Sequence, residues 1–446
     1  MSPADPFCYE GFDLDPGRGL LTCRYSLGGR EFAEKITFGP DGNWDAPGVG
    51  QAARLICLLA GVSYYKTAAP PVIDLGRVPV TAAELGFLRC FYLDGLGEFA
   101  YRNDLDLSPL RFVGGIIGEP ARGQHPGRGA PHAMLIPFGG GIDSIVTVEL
   151  MRGRGDAALF VMSRPGDRFA AIERPAAVIG LPVVRAGREI DQQLLRSAEL
   201  GFLNGHVPVT GILSAIAVMA ALLDGRDAVV MSNEWSASVA TLQAGGRPIN
   251  HQYSKSMEFE AGFRRVLAGA LGGRLSYFSA LRPFTELWVA RKFAGLTQYH
   301  ATFRSCNRAF HIDPALRLDH WCGRCDKCCF IDLILAPVMS AEALRAVFAA
   351  DGGGAEPLTD PALAPKFGAL LGTGTKPFEC VGEVNECRAA VVLAARRADR
   401  ADCALLQELA ADVAGRPDAP TDAEIAAMHR PAGENFVPAV YAFEES

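Results

Sequence analysis

Three groups of residues in this 446-residue chain have types and spacings suited to chemistry. The first is Gly139-Gly140-Gly141-Ile142-Asp143-Ser144, set between the apolar stretch Ala133–Phe138 and the helical stretch Ser144–Met151. Glycines let the backbone approach a ligand with no Cβ in the way. The N–H groups of a first helical turn, reinforced by the helix dipole, attract an anion. Ser144 adds a hydroxyl donor. Asp143 adds like charge to such a site, which makes sense where Mg²⁺ or a fixed turn needs a carboxylate. The two common nucleotide loops, G-x-x-x-x-G-K-[ST] and G-x-G-x-x-G, are not matched by this run. A glycine turn that merely joins strand to helix is the plain alternative.

The second group is Trp321-Cys322-Gly323-Arg324-Cys325-Asp326-Lys327-Cys328-Cys329, with Cys306 upstream. Two residues between cysteines allow two thiolates to grip one tetrahedral ion across a tight turn. Cys306, Cys322, Cys325 and Cys328 would complete a structural zinc site, and His311 and His320 are substitutes for any one of them. A metal-free packed loop and a redox dithiol are the alternatives.

The third group is polar. Ser232-Asn233-Glu234-Trp235-Ser236 follows the apolar run Ala228–Met231, and Asn250-His251-Gln252-Tyr253-Ser254-Lys255-Ser256 comes soon after. In an open α/β sheet ligands gather beyond the carboxyl ends of strands, so Asn233 and Glu234 should face the glycine loop. Glu234, His251, Tyr253 and Lys255 can move protons, and Lys255 can also neutralise a phosphate. Each has a plain reading too: an arginine partner for Glu234, an exposed loop for His251, solvent for Lys255.

The elements that must carry these groups read as three regions. Residues 1–125 suggest an α+β module, with strands at Phe7–Leu14, Leu20–Leu27 and Glu31–Phe38, then helices at Gly48–Ala60 and Thr81–Leu93. Glu119–Pro131, rich in Gly, Pro and Arg, reads as a linker. Residues 130–340 alternate strand and helix: Ala157–Met162, Leu181–Arg185 and Ala228–Met231 are short apolar strands, with Ala170–Ile179 and Gly211–Leu223 as helices. Apolar runs without polar alternation fit a parallel sheet covered on both faces. Residues 341–446 read as helical, at Ser340–Ala349 and over Glu386–Ala414.

Bulk properties narrow the function. A net charge of −7 argues against a nucleic-acid partner. No run approaches the ~18 apolar residues that cross a bilayer, and the first residues lack a secretion signal, so a cytoplasmic enzyme without a membrane partner is expected. In that reducing compartment 12 cysteines suggest buried thiols and metal ligands rather than disulfides.

The glycine loop resembles the S-G-G-x-D-S signature of the PP-loop ATP pyrophosphatases, with Gly139 where that family usually has its first serine. The resemblance implies a HUP-like parallel-sheet core that binds ATP and Mg²⁺ through Gly139, Gly140, Gly141, Ile142, Asp143, Ser144 and Asn233. It also implies cleavage of ATP to AMP and pyrophosphate. Deazapurine-forming and some thiolating members carry a similar cysteine segment, and an enzyme of that kind is one alternative; Cys306 or Cys329 would serve a thiolating enzyme. A non-catalytic ATP-binding zinc scaffold is another.

Taken in order, these segments with Asp94-Gly95-Leu96-Gly97-Glu98-Phe99 and Arg102-Asn103 resemble the UDP-N-acetyl-muramoyl-L-alanyl-L-glutamate epimerases of bacterial peptidoglycan synthesis, the MurL family. That resemblance implies an isomerase that turns the terminal L-Glu of UDP-MurNAc-L-Ala-L-Glu into D-Glu through a carboxyl-adenylate. Asp143, Ser144, Glu234, His251, Tyr253 and Lys255 are then the catalytic candidates. Arg102, Asn103 and Arg111 are candidates for holding the UDP-sugar end.

Overall fold

The computed structural model describes residues 5–118, 132–244 and 246–442. The linker expected at Glu119–Pro131 lies outside the described residues. An antiparallel meander opens the chain: β1 (Phe7–Asp15), β2 (Leu20–Leu27) and β3 (Arg30–Thr37). Its first turn is a short 3₁₀ segment, Pro16–Arg18, closed by Gly19 at φ 62°. There follow β4 (Val72–Asp74), β5 (Pro79–Val80), β6 (Arg111–Val113) and β7 (Ile116–Ile117). The later strands are β8 (Ala133–Pro137), β9 (Asp156–Ser163), β10 (Val183–Glu189), β11 (Ala228–Met231), β12 (Leu242–Ala244), β13 (Arg247–Ile249) and β14 (Ser276–Ser279).

One ten-stranded sheet runs β14-β11-β8-β9-β10-β3-β2-β1-β4-β6. Pairings are parallel from β14 to β10 and among β1, β4 and β6, and antiparallel across β10-β3-β2-β1. The N-terminal strands therefore extend the parallel core rather than closing a sheet of their own. At the junction Arg188 on β10 donates to Glu34 on β3 at 2.7 Å, with Glu34 fully buried.

Side-chain alternation along each core strand separates two apolar layers. Met134, Ile136, Leu159, Val161, Val230 and Phe278 point to one layer, beneath helices Ile142–Met151, Ala170–Ile179, Glu286–Ala294 and Asp326–Leu335. Leu135, Ala158, Phe160, Val229, Met231 and Tyr277 point to the other, beneath helices Val49–Ala60, Ala82–Leu93, Val209–Leu223 and Met257–Leu271. This is the two-sided burial that the unbroken apolar runs imply.

Several local expectations hold for identifiable reasons. Thr81 and Glu84 form a reciprocal capping box, and Ser256 caps the helix at Met257, accepting from Phe259 N at 3.2 Å. The helix expected across Glu386–Ala414 is instead two, Val384–Ala395 and Ala404–Ala414, broken by a 3₁₀ turn at Ala398–Arg400. There the buried Arg400 side chain turns inward to Glu356, 2.6 Å away.

Candidate functional site

After β8 the chain adds β9 and β10 on one side of it, then returns to place β11 on the other. Strand order reverses at β8, and the crevice at such a switch point is where α/β sheets bind ligands. Gly139–Gly141 leave the carboxyl end of β8 there, and Ser232–Glu234 leave the end of β11. Between them lies a cavity of about 440 Å³ whose wall includes Gly139, Gly141, Asp143, Ser144, Asn233 and Lys255. A larger cavity of about 540 Å³ lies elsewhere, by Arg54, Glu84 and Arg265; Arg54 is held by Glu84 at 2.5 Å there, and no glycine loop is near.

The loop is built as its sequence requires. Gly140 has φ +77°, and a Cβ on it would lie 2.0 Å from the Ala171 carbonyl oxygen, so only glycine fits. A Cβ on Gly139 would meet nothing within 4 Å. The helix begins at Ile142, directly after the loop, and Ser144 Oγ donates to the Gly141 carbonyl at 3.1 Å.

Asp143 Oδ1 is buried without a hydrogen-bond partner among the described residues. Burial above all, then the Glu234 carboxylate, raises the Asp143 pKa to about 7, against the opposing charges of Lys327 and Lys255. Glu286 and Glu386 stand in the same acidic group. Burial and then Asp143 push Glu286 well above the usual carboxylate range, and burial lifts Glu386 to about 8. Four buried carboxyls facing two lysines make a site short of positive charge.

Arg282, 1% exposed, frames the polar runs. Its guanidinium donates to Glu260 at 3.0 Å, to the Glu234 carbonyl at 2.8 Å and to the Lys255 carbonyl at 2.6 Å. It thus pins the backbone of Glu234 and Lys255 and leaves both side chains free for other contacts. Asn233 is fixed through its backbone, whose N–H donates to Ser279 Oγ at 2.6 Å. Tyr253 does not reach the cavity wall; it is buried in the apolar layer, edge-on to Phe259.

His251 is neither exposed nor alone. Its Nδ1 hydrogen-bonds the Glu98 carboxylate, its ring lies 4.2 Å from that of His206, and Arg102 donates to Glu98 at 2.6 Å. Arg102 also covers the Phe378 ring at 4.8 Å. Asn103 donates to Phe99 and Asn204 carbonyls, which accounts for its amide as a helix end. Arg111 lies on β6, exposed.

Cys380 follows Phe378 into the site and lines the cavity beside Lys255 and Lys327, and Lys327 Nζ donates to the Cys380 carbonyl. Burial pushes the Cys380 thiol up, but Lys255, His251 and Lys327 outweigh it and bring the thiol to about 6. The reverse holds for His251: burial lowers it, while Cys380 and Glu98 raise it to about 9.

Beyond the cavity, the Sγ atoms of Cys306, Cys322, Cys325 and Cys328 all lie within 4.8 Å of one another. Measured pairs are Cys325–Cys328 at 3.4 Å, Cys322–Cys328 at 3.6 Å and Cys306–Cys325 at 4.0 Å. Backbone N–H groups of Arg324 and Cys325 point at Cys322 Sγ, at 3.5 and 3.4 Å. His311 and His320 are not part of the group: His311 bonds within its own turn and His320 pairs with Asp319.

Comparison with known proteins decides the family. The MurL N-terminal domain model matches residues 1–280 and the MurL C-terminal domain model matches residues 302–424. The chain belongs to the MurL family. Two relatives named UDP-N-acetyl-alpha-D-muramoyl-L-alanyl-L-glutamate epimerase are each 38% identical to it. That of Xanthomonas oryzae pv. oryzae aligns over 95% of this chain and 93% of its own length; that of Salinispora tropica over 98% and 95%. A third of the same name, from Micromonospora, is 36% identical over 98% of this chain and 97% of its own. No solved structure matches the chain.

In this MurL family member the cavity wall carries residues that sequence reasoning did not assign to the site, Lys327, Glu379 and Cys380, while Glu286, Glu386 and His206 lie off that wall, coupled in charge to Asp143, Glu234 and His251. Lys327 lies inside the cysteine segment and could have been read as a cation carried by that fold. Cys380, in Pro377-Phe378-Glu379-Cys380-Val381-Gly382, is a lone cysteine in a region read as helical, and spacing gives it no signal.

Proposed function

We propose that this MurL family member epimerises the terminal L-Glu of UDP-MurNAc-L-Ala-L-Glu to D-Glu, converting ATP to AMP and pyrophosphate, in cytoplasmic synthesis of a peptidoglycan precursor. The observation that carries the reading is the glycine loop at the sheet's switch point, opening on a cavity with Asp143, Lys255 and Lys327 on its wall. The names of three near-full-length relatives supply the substrate.

The chemistry explains why ATP is needed. An ionised carboxylate makes its α-proton barely acidic, because removal would leave two adjacent negative charges. Transfer of AMP to that carboxylate removes the charge, and the α-proton becomes accessible to a side-chain base. Gly139–Ser144 would cradle the phosphates in a PP-loop core, with Asn233 near the nucleotide. Lys255 and Lys327 would offset charge gathering at the α-phosphate during adenylation. The orphaned Asp143 Oδ1 and the raised Asp143 pKa fit a Mg²⁺ ligand, and Mg²⁺ would neutralise phosphate charge when bound. Water then releases AMP. Glu234, His251 and Tyr253 all lie off the cavity wall; Glu234 acts on Asp143 and His251 on Cys380, which keeps both as candidates for the proton steps, whereas Tyr253 is buried in the apolar layer.

The four-thiol group fits a structural Zn²⁺. Tetrahedral bonds of ~2.3 Å place sulfurs about 3.8 Å apart, within the span of the measured pairs. Cys306 and Cys329 are fully buried, Cys306 within that group and Cys329 in the core, so neither offers the exposed thiol a thiolating enzyme requires.

The test is chiral analysis of the glutamate released by acid hydrolysis after incubation with UDP-MurNAc-L-Ala-L-Glu. D-Glu should accumulate with ATP and Mg²⁺. It should not accumulate when a methylene bridges the α- and β-phosphorus of the nucleotide. D-Glu formed with that analogue would contradict adenylation.

A further inference from the structure

We propose that the Cys380 thiolate carries the α-proton of the activated glutamyl group, held in the cavity beside Lys255 and backed by the His251–Glu98 pair. The proposal rests on the ATP-dependent epimerisation above and names the group that performs its central step.

Cys380 is brought to the site by long-range packing. The segment Phe378–Cys380 reaches across to the N-terminal helix Gly97–Arg102, where Phe378 contacts Tyr101, Arg102 and His251. Lys327 ties the Cys380 carbonyl from the helix Asp326–Leu335. Three separate parts of the chain thus fix one thiol on the wall of a cavity that also holds the glycine loop. His251, oriented through Nδ1 by Glu98, is one of the cations that favour the ionised sulfur. The charges around the thiol agree: Lys255, His251 and Lys327 favour its anion and Asp143 opposes it, with the balance near 6.

The proton balance closes on Cys380 and water. The Cα–H bond breaks, an S–H bond forms at Cys380, and the electron pair stays on Cα as the enolate of the acyl phosphate. Inversion needs the return proton on the opposite face, from a group other than the thiol and other than Lys255, which stands beside it. Water in the open cavity supplies that proton to Cα, and the hydroxide left behind takes the proton from Cys380, so the thiolate is restored. Lys255 stays an ammonium throughout: burial alone would lower its pKa, but the charges of Cys380, Glu234 and Asp143 outweigh burial and hold it above the ordinary lysine range.

The experiment incubates Cys380→Ser and wild type with ATP, Mg²⁺ and UDP-MurNAc-L-Ala-L-Glu. Deuterium uptake from D₂O and pyrophosphate release are followed in the same sample. Serine keeps the size but not the acidity, so uptake should fall by 10²–10⁴-fold, the usual contribution of a proton-transfer group. Pyrophosphate should still form, as stalled adenylate is lost to water, and its formation shows that the variant is folded. In wild type, iodoacetamide should alkylate the peptide containing Cys380, with ATP and substrate together protecting it. Uptake by Cys380→Ser within threefold of wild type overturns the proton role while leaving the ATP reading intact. So does a wild-type protein mass increased by the muramoyl dipeptide on Cys380 after acid quench, because that makes the thiol a nucleophile. Wild type that forms neither product overturns both.

Discussion

The two neighbouring glycines of the loop should respond in opposite ways to a side chain. Gly140 combines φ +77° with a Cβ position 2.0 Å from the Ala171 carbonyl oxygen. Gly140→Ala therefore meets two costs. A non-glycine residue in the left-handed region costs about 1–2 kcal/mol. The contact must also open by more than about 1 Å to reach van der Waals distance, against backbone that cannot swing aside. A displacement of that size at a reacting centre costs about 10²-fold in rate. The expected result is a fall of at least about 100-fold in kcat/KM for substrate-dependent pyrophosphate release. The global fold, judged by circular dichroism, should persist. Gly139→Ser is the counter-experiment. Its Cβ meets nothing within 4 Å, and it installs the serine usual in PP-loop enzymes. It should be tolerated, and one added hydrogen bond of about 0.5–1.5 kcal/mol would lower the KM for ATP by about 2- to 10-fold. Near-wild-type activity in Gly140→Ala, or inactivity in a folded Gly139→Ser, would refute the loop assignment.

Other consequences can be checked independently. Asp143→Asn should abolish pyrophosphate release yet stabilise the ligand-free protein. The raised Asp143 pKa means that stability present below about pH 4 is lost as pH rises through about 7, so the gain should grow over that range in pH-dependent unfolding. Glu98→Gln removes the anion that helps hold His251 near 9. Stability from the charged pair is present below the ordinary histidine pKa and lost as pH rises through about 9, so the gap between variant and wild-type unfolding curves should narrow above that pH to what the Arg102–Glu98 pair leaves, and widen below it until Glu98 protonates. Cys322→Ser should reduce bound zinc from about one per chain to near zero and lower the unfolding midpoint, as read by elemental analysis and calorimetry; a wild type purified without metal and indifferent to chelators would contradict the zinc assignment.

Much of this was legible in sequence because it is local. Unbroken apolar runs such as Ala228–Met231 fixed the strands beneath the loop, and Thr81 and Ser256 marked helix starts through caps that need only neighbouring residues. The spacing of Cys322, Cys325 and Cys328 carried the thiol group, and the structure brings to it Cys306, 16 residues upstream of the first of them and named with them from the sequence. What stayed hidden depends on distance along the chain. Nothing near Cys380 signals Glu98 or His251, yet packing of Phe378 against Arg102 brings all three together. The continuity of the sheet through β3 and β10 was hidden for the same reason, since pairing partners 150 residues apart leave no local pattern. The same holds for Arg282, which reads as an ordinary charged residue until its contacts with Glu260 and the Glu234 and Lys255 carbonyls are seen.

The central claim is that ATP cleavage activates a carboxylate so that its α-proton can be exchanged. Its most direct test is the wild-type protein in D₂O with Mg²⁺ and UDP-MurNAc-L-Ala-L-Glu, with and without ATP. Deuterium at the glutamyl α-carbon should appear only with ATP and be accompanied by pyrophosphate. Deuterium incorporated without ATP, or pyrophosphate released without any α-exchange, would contradict the account.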